Sequence, residues 1–228
     1  MARDGEQNLT WAILVAAGSG ERLGADRPTA VVALGERVLL AESLERLDAS
    51  EWIDAVVVAA PPDWEEAAIV LAEELVASKV AAVVTGGATR GESVRAALAE
   101  VPDDALVVVV HDAARPLVDD AVIGRVIGPL AEGVDGVVPG LPLPDTVKRV
   151  DRGLVVETVD RSGFVTVQTP QAFTAAVLRA AYRDLPVDAT DCASLVEARG
   201  GRIRVVEGDP RLLKITTRAD HALVESWL

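Results

Sequence analysis

Short runs of apolar, largely β-branched residues recur along this chain, at Trp11–Val15, Ala55–Ala60, Val80–Val84, Ala105–Val110, Val134–Pro139 and Ile203–Val206. Between them, apolar residues recur at helical spacing over Leu39–Leu47, Asp63–Ala77, Ser93–Glu100, Asp119–Glu132, Thr174–Arg183, Asp191–Ala198 and Arg218–Leu228. A strand that is apolar throughout is buried on both faces. Strands of that kind alternating with helices predict an α/β fold with a mainly parallel sheet. Ligands bind such sheets beyond the carboxyl ends of the strands, so the loops that follow strands are where function is to be sought. Asp63 and Glu66 have the spacing of a capping box at the head of their helix. One segment breaks the alternation: Asp145–Val150 and Leu154–Val159 flank Asp151-Arg152-Gly153, which predicts a charged β-hairpin, either a protruding arm or a solvated edge.

With 228 residues, half of them apolar, the chain can bury one large core. A net charge of −14 opposes binding to a nucleic-acid polymer, though a few local cations would suffice for a small phosphorylated ligand. No apolar run reaches the roughly 20 residues that span a bilayer. Asp4 and Glu6 precede the first run, which ends in glycines and not at a cleavage site, so neither a membrane role nor a signal peptide is expected. The single cysteine, Cys192, excludes an internal disulfide framework and fits a reducing cytoplasm. His111 and His221 are the only histidines, too few for a zinc cluster, and Lys79, Lys148 and Lys214 are the only lysines.

The first loop after a strand is Ala16-Ala17-Gly18-Ser19-Gly20-Glu21-Arg22-Leu23-Gly24. Small residues let backbone N–H groups approach a phosphate, and Arg22 adds a charge. The spacing G-x-G-x-x-x-G is one residue longer than the dinucleotide fingerprint, and no Gly-Lys-Ser/Thr marks a P-loop. As a bare pattern the loop serves equally as a structural turn. Thr85–Val94, with Gly86, Gly87, Arg90 and a Ser93 placed at a predicted helix start, reads either as a ligand loop or as an N-capped turn. His111-Asp112-Ala113-Ala114-Arg115-Pro116 sends three ionisable side chains out of the most apolar strand, which packing alone does not explain. Thr146 and Lys148 in the hairpin, Arg161 beyond it, Gln168-Thr169-Pro170-Gln171, Thr190-Asp191 and Lys214-Ile215-Thr216-Thr217 complete the polar candidates.

In this order and spacing, from about Trp11 to the C-terminal helix, the chain resembles the 2-C-methyl-D-erythritol 4-phosphate cytidylyltransferase family of the non-mevalonate isoprenoid pathway. The most specific pieces are Ala16–Leu23, His111–Arg115, Asp145-Thr146-Val147-Lys148, Thr169-Pro170-Gln171 and Lys214 with its threonines. The resemblance implies a three-layer Rossmann-like nucleotidyltransferase fold over residues 1–228, with residues 141–163 forming a β-hairpin dimerisation arm. It implies transfer of CMP from CTP to a sugar-alcohol phosphate, with pyrophosphate released. Arg22, Arg161 and Lys214 would be catalytic. Ala16, Ala17, Gly18, Ser19, Gly87, Arg90, Ser93, Asp112 and Ala113 would bind nucleotide. Asp112, Arg115, Thr146, Arg161, Thr169, Thr190 and Lys214 would bind the acceptor, with Thr146 and Arg161 reaching the site of a second subunit. Mg²⁺ would ride on the CTP phosphates, with Asp112 its one protein candidate, in a cytoplasmic homodimer.

Two positions depart from that family's pattern. The loop normally ends Pro-Lys, whereas here it reads Pro28-Thr29-Ala30, and losing one such cation costs about 10²–10³ in turnover. Cys192 stands where a second acidic residue usually follows Asp191, and reads as a buried or capping side chain. Three readings stay open at this point: a working cytidylyltransferase with Arg27 supplying the missing charge, an impaired CTP- or sugar-phosphate-binding paralogue, and a same-fold nucleotidyltransferase with another acceptor.

Overall fold

The computed structural model describes residues 9–24, 26–184 and 190–228; the side chains of Arg22 and Asp184 lie outside that description, as do Asp4 and Glu6. The first half of the chain runs β1 (Thr10–Val15), β2 (Ala33–Leu34), β3 (Arg37–Val38), α1 (Leu39–Ala49), β4 (Ala55–Ala60), α2 (Glu65–Glu74), β5 (Val80–Thr85), α3 (Arg90–Leu98), β6 (Val107–Asp112) and α4 (Asp120–Ile127). The second half adds β7 (Gly136–Pro142), β8 (Val147–Asp151), β9 (Leu154–Val159), β10 (Val165–Val167), β11 (Gln171–Thr174), α5 (Ala175–Asp184), α6 (Cys192–Ala198), β12 (Ile203–Glu207) and α7 (Arg218–Glu225).

The central sheet has the order β10-β7-β11-β6-β1-β4-β5, with β12 also on β7. β1 lies between β4 and β6 in parallel, Ile13 opposite Val57 on one side and Val110 on the other. β5 and β12 continue the parallel pairing at β4 and β7. β10 and β11 run antiparallel to β7, and β11 also to β6, so the sheet is mixed although mainly parallel. Sequence periodicity misses these two because each is only three or four residues long.

Alternate side chains of β1 feed two cores, which is why the strand is apolar throughout. Trp11 and Ile13 pack with Val94, Leu98, Leu178 and Val196 under α3, α5 and α6. Ala12 and Leu14 pack with Leu40, Leu44, Ala72 and Ile123 under α1, α2 and α4. Ala12, Ile13 and Leu14 are wholly buried, and each large side chain removed from water in this way contributes about 1.5–3 kcal/mol. A third cluster, Leu23, Leu34, Leu39, Leu117, Ile215 and Val224, seats α7 against the loop after β1.

Two expected helix starts shift. Asp63 has φ of 67°, outside the extended backbone that a capping residue needs, so α2 starts at Glu65 with no side-chain cap. α3 starts three residues before Ser93, at Arg90, because Thr89 forms the capping box with Glu92: Thr89 Oγ1 accepts from the Glu92 N–H and Glu92 Oε2 from the Thr89 N–H. β8 and β9 pair only with each other, in a separate two-stranded sheet closed by Arg152 and Gly153 at positive φ. No helix of the described residues is long and apolar enough to cross a membrane.

Candidate active site

A cleft of about 620 Å³ opens beyond the carboxyl ends of β1, β4, β5 and β6. Its floor is held by the backbone immediately past the strands. Ala16 donates to the Ala59 carbonyl (2.9 Å), Gly86 to Ala60 (2.8 Å) and Ala113 to Val15 (2.9 Å). The loop after β1 then turns sharply at Gly20, φ 81°, where an added Cβ would sit 2.3 Å from the Arg27 carbonyl. That contact brings Pro28 and Thr29 back over the loop, and the Thr29 N–H donates to the Gly18 carbonyl (3.0 Å). Among the described residues the N–H groups of Ala17, Gly18 and Ser19 have no partner, and all three residues line the cleft. Unsatisfied N–H groups in a curved loop of small residues form a seat for an anion.

The opposite wall carries charge. Asp112, at the end of β6, is nearly buried, and its Oδ1 accepts from Arg90 Nε (2.8 Å) while Oδ2 accepts from Lys214 Nζ (2.7 Å). Burial alone would raise the pKa of this carboxyl, but Arg90, Lys214 and Arg115 outweigh it and hold the group far below the usual carboxylate range. Arg90 also donates to Cys192 Sγ (3.3 Å), which lies 3.1 Å from the Tyr182 hydroxyl, and a third guanidinium nitrogen is buried without a partner. Cys192 is buried, as expected, yet it serves as an acceptor for Arg90 and not only as packing. Ser93 accepts from the Gly87 N–H (3.1 Å) and donates to the Thr89 carbonyl (2.9 Å), so its hydroxyl shapes the loop before α3.

His111 and Asp112 leave β6 on opposite faces. His111 is fully buried, its Nδ1 3.2 Å from Thr169 Oγ1 and its Nε2 3.1 Å from the Arg115 carbonyl. A carbonyl only accepts, so Nε2 carries the hydrogen. Thr169 then donates to Nδ1 while accepting from the Asp112 N–H (3.1 Å), which requires the neutral ring. Burial lowers the His111 pKa to about 4. Arg115 donates to the Leu212 carbonyl two residues before Lys214, and Ile215 donates to the Ala114 carbonyl (2.8 Å), so the Lys214 segment is fastened to the β6 turn.

Of the residues singled out from the sequence, Ala16, Ala17, Gly18, Ser19, Gly87, Arg90, Ser93, Asp112, Ala113, Thr29 and Lys214 line the cleft. Arg22 lies in a 3₁₀ turn, Glu21–Leu23, on the cleft-lining loop, and its side chain is outside the described residues. Arg115 and Thr169 stand behind the wall as braces. Thr190 is exposed beside the α6 cap, and Thr146 and Arg161 are exposed at the arm, where Arg161 donates to the Pro144 carbonyl. Arg27, the nearest cation along the chain to position 29, lies outside the cleft lining, with its Nε paired to Asp26 (3.1 Å). Glu21, Pro61, Pro62, Thr89 and Thr216 also line it. Thr216 falls in the Lys214–Thr217 segment already singled out from the sequence; the prolines follow β4 and carry no such signal. No group of three His, Cys, Asp or Glu side chains comes together among the described residues, and both Asp112 oxygens are taken by cations.

The same arrangement of loops recurs in known proteins. The model of the IspD family, described as 2-C-methyl-D-erythritol 4-phosphate cytidylyltransferase, matches residues 10–228. The enzyme of that name from Nocardia farcinica is 48% identical over 95% of this chain and 93% of its own. The crystal structure of the Thermus thermophilus enzyme of that name superposes with a TM-score of 0.75 at 33% identity, over 94% of this chain and 96% of that one. The 4-diphosphocytidyl-2C-methyl-D-erythritol synthase of Anaerococcus prevotii superposes with a TM-score of 0.82 at 26% identity, over 96% and 98%. An anion seat after β1, a cation-paired Asp112 after β6 and near full-length similarity to these enzymes place this chain in the 2-C-methyl-D-erythritol 4-phosphate cytidylyltransferase family.

Proposed function

We propose that this protein transfers CMP from CTP to 2-C-methyl-D-erythritol 4-phosphate, giving the CDP-linked product and pyrophosphate. The observation that carries the reading is the cleft itself, which sets free backbone N–H groups on one side and the Arg90–Asp112–Lys214 cluster on the other. Mg²⁺, when bound, would be held by the CTP phosphates and would offset their charge, since both Asp112 oxygens are engaged by Arg90 and Lys214. The triphosphate lies along Ala16–Gly20, with Arg22 beside it, and cytosine and ribose lie toward Gly87 and Ser93. A phosphate oxygen of the acceptor attacks the α-phosphorus, the bond to the bridging oxygen breaks, and pyrophosphate leaves with the electron pair. The attacking phosphate needs no general base, so catalysis rests on positioning and on cations aimed at the developing charge.

Lys214 holds the attacking phosphate, and Asp112 keeps its ammonium and the Arg90 guanidinium aimed into the cleft. Arg115 acts through the Lys214 segment. Thr146 and Arg161, remote from the cleft of their own chain, complete the site of a second copy in a homodimer. That reading is supported by the exposed apolar side chains of the arm, among them Val150, Leu154 and Val155. A reducing cytoplasm suits a chain whose one cysteine is a buried thiol. The near full-length relatives favour a working transferase over a binding-only paralogue or one with another acceptor.

Pyrophosphate release from CTP, Mg²⁺ and 2-C-methyl-D-erythritol 4-phosphate is expected, with no release when the acceptor is omitted. A protein that binds CTP and stays silent would sink the reading. Thr29→Lys run in parallel shows how much turnover the uncharged loop end costs.

A further inference from the structure

Among the described side chains the cleft is short of uncommitted positive charge; that of Arg22, on the cleft-lining loop, lies outside the description. Arg90 and Lys214 are both drawn to Asp112, leaving one net charge among the three, and Arg27 is neutralised by Asp26. Thr29 adds only a hydroxyl at the end of the loop. A triphosphate with one divalent cation still carries about two negative charges at neutral pH.

Arg218 is the described cation near this loop that has no partner. It is exposed at the first turn of α7, and among the described residues its guanidinium makes no hydrogen bond or ion pair. The nearby carboxylate, Asp220, is committed to the helix cap, where Oδ2 accepts from the Thr216 and Thr217 N–H groups (3.0 and 2.7 Å) and from the Thr216 hydroxyl (2.7 Å). The guanidinium rests instead on the end of the anion-seat loop: a Cβ added at Gly24 would lie 3.7 and 3.9 Å from two of its nitrogens. Two residues earlier in the same segment, Thr216 lines the cleft. A planar five-donor cation with no described partner therefore packs against Gly24, at the far end of the loop whose first residues form the anion seat.

We propose that Arg218 binds the terminal phosphates of the nucleotide, and with them the departing pyrophosphate, supplying the charge that Thr29 does not. The inference rests on the cytidylyltransferase reading. Calorimetry with Mg²⁺ and each of CTP, CMP and inorganic pyrophosphate tests it directly. Arg218→Gln is expected to weaken CTP and pyrophosphate binding about ten- to hundredfold while CMP binding stays within about twofold, since CMP lacks the contacted groups. Arg218→Lys, which keeps the charge, is expected to retain most of the pyrophosphate affinity. Adding Thr29→Lys to Arg218→Gln is expected to recover the loss, because a cation returns to the same anion from the other side. Equal weakening of CMP and pyrophosphate would make Arg218 a prop for the loop and overturn the proposal, as would unchanged pyrophosphate binding in Arg218→Gln. A wild-type chain that binds none of the three overturns the parent reading and this inference with it.

Discussion

Around the cleft, β1, β4 and β6 are covered on both faces, and the backbone past β1, β5 and β6 is held by a neighbouring strand's carbonyl. In the arm, β8 and β9 pair only with each other and leave Val150, Leu154 and Val155 55%, 73% and 61% exposed. An isolated two-stranded hairpin is at best marginally stable in water. The cleft is thus organised before any ligand arrives, whereas the arm's apolar side chains wait for a surface to cover them. On the proposed function, one chain carries a preformed nucleotide site and an acceptor site that a second copy completes.

The largest expected effect lies in the preformed part. Asp112→Asn removes the charge that aims Arg90 and Lys214, and breaking one partner out of a buried ion pair costs about 3–5 kcal/mol of stability. Turnover is expected to fall by about 10²–10³, read from pyrophosphate release beside a urea melt. Near-normal turnover would show that the cluster is scaffolding only. The next test divides the site between subunits. Arg161→Ala and Lys214→Ala are each expected to be nearly inactive, while an equimolar reassembled mixture recovers up to about a quarter of wild-type turnover, because half the dimers are mixed and each has one intact site. Failure to recover would place Arg161 in its own chain's chemistry or outside it.

A smaller effect concerns the brace behind the cleft. Burial lowers the pKa of His111 from 6.5 to about 4, with Arg115 and Arg90 adding to it and Asp112 opposing it, so between those values the unfolded chain binds a proton that the folded chain does not. Stability from this group is complete above about pH 6.5 and is lost as pH falls toward 4, by up to roughly 3 kcal/mol. Urea melts at pH 7 and pH 5 should show that slope in the wild type and a flatter one in His111→Asn. The smallest effect is expected in the arm's own surface. Arg149 and Glu157 pair at 2.9 Å but are more than half exposed, so Arg149→Ala should move stability by no more than about 1 kcal/mol. A larger loss would mean the pair is covered in solution.

The strands and the loops after them were legible because β1, β4 and β6 are apolar on both faces and break abruptly into Gly, Ala and charge. The division of labour among the polar residues was not. His111, Asp112 and Arg115 look alike in sequence, yet pleating sends His111 and Asp112 to opposite faces, one into a buried relay and the other toward two cations. Ser93 looked like a cap until Thr89 and Glu92 claimed the start of α3. Arg27 was the nearest charge to Thr29 along the chain, but Asp26 holds it, while Arg218 comes to rest on Gly24 from nearly two hundred residues away.

Alternation of buried strands with amphipathic helices, and the placing of small residues where strands end, are local properties. They determined by themselves that this chain folds as an α/β sheet with its candidate loops at the carboxyl edge. Which side chains face that cleft, which brace it and which cations remain unpaired depends on distances between segments remote in sequence. Those distances exist only once both cores have closed on the sheet, and so the tertiary structure alone decided them.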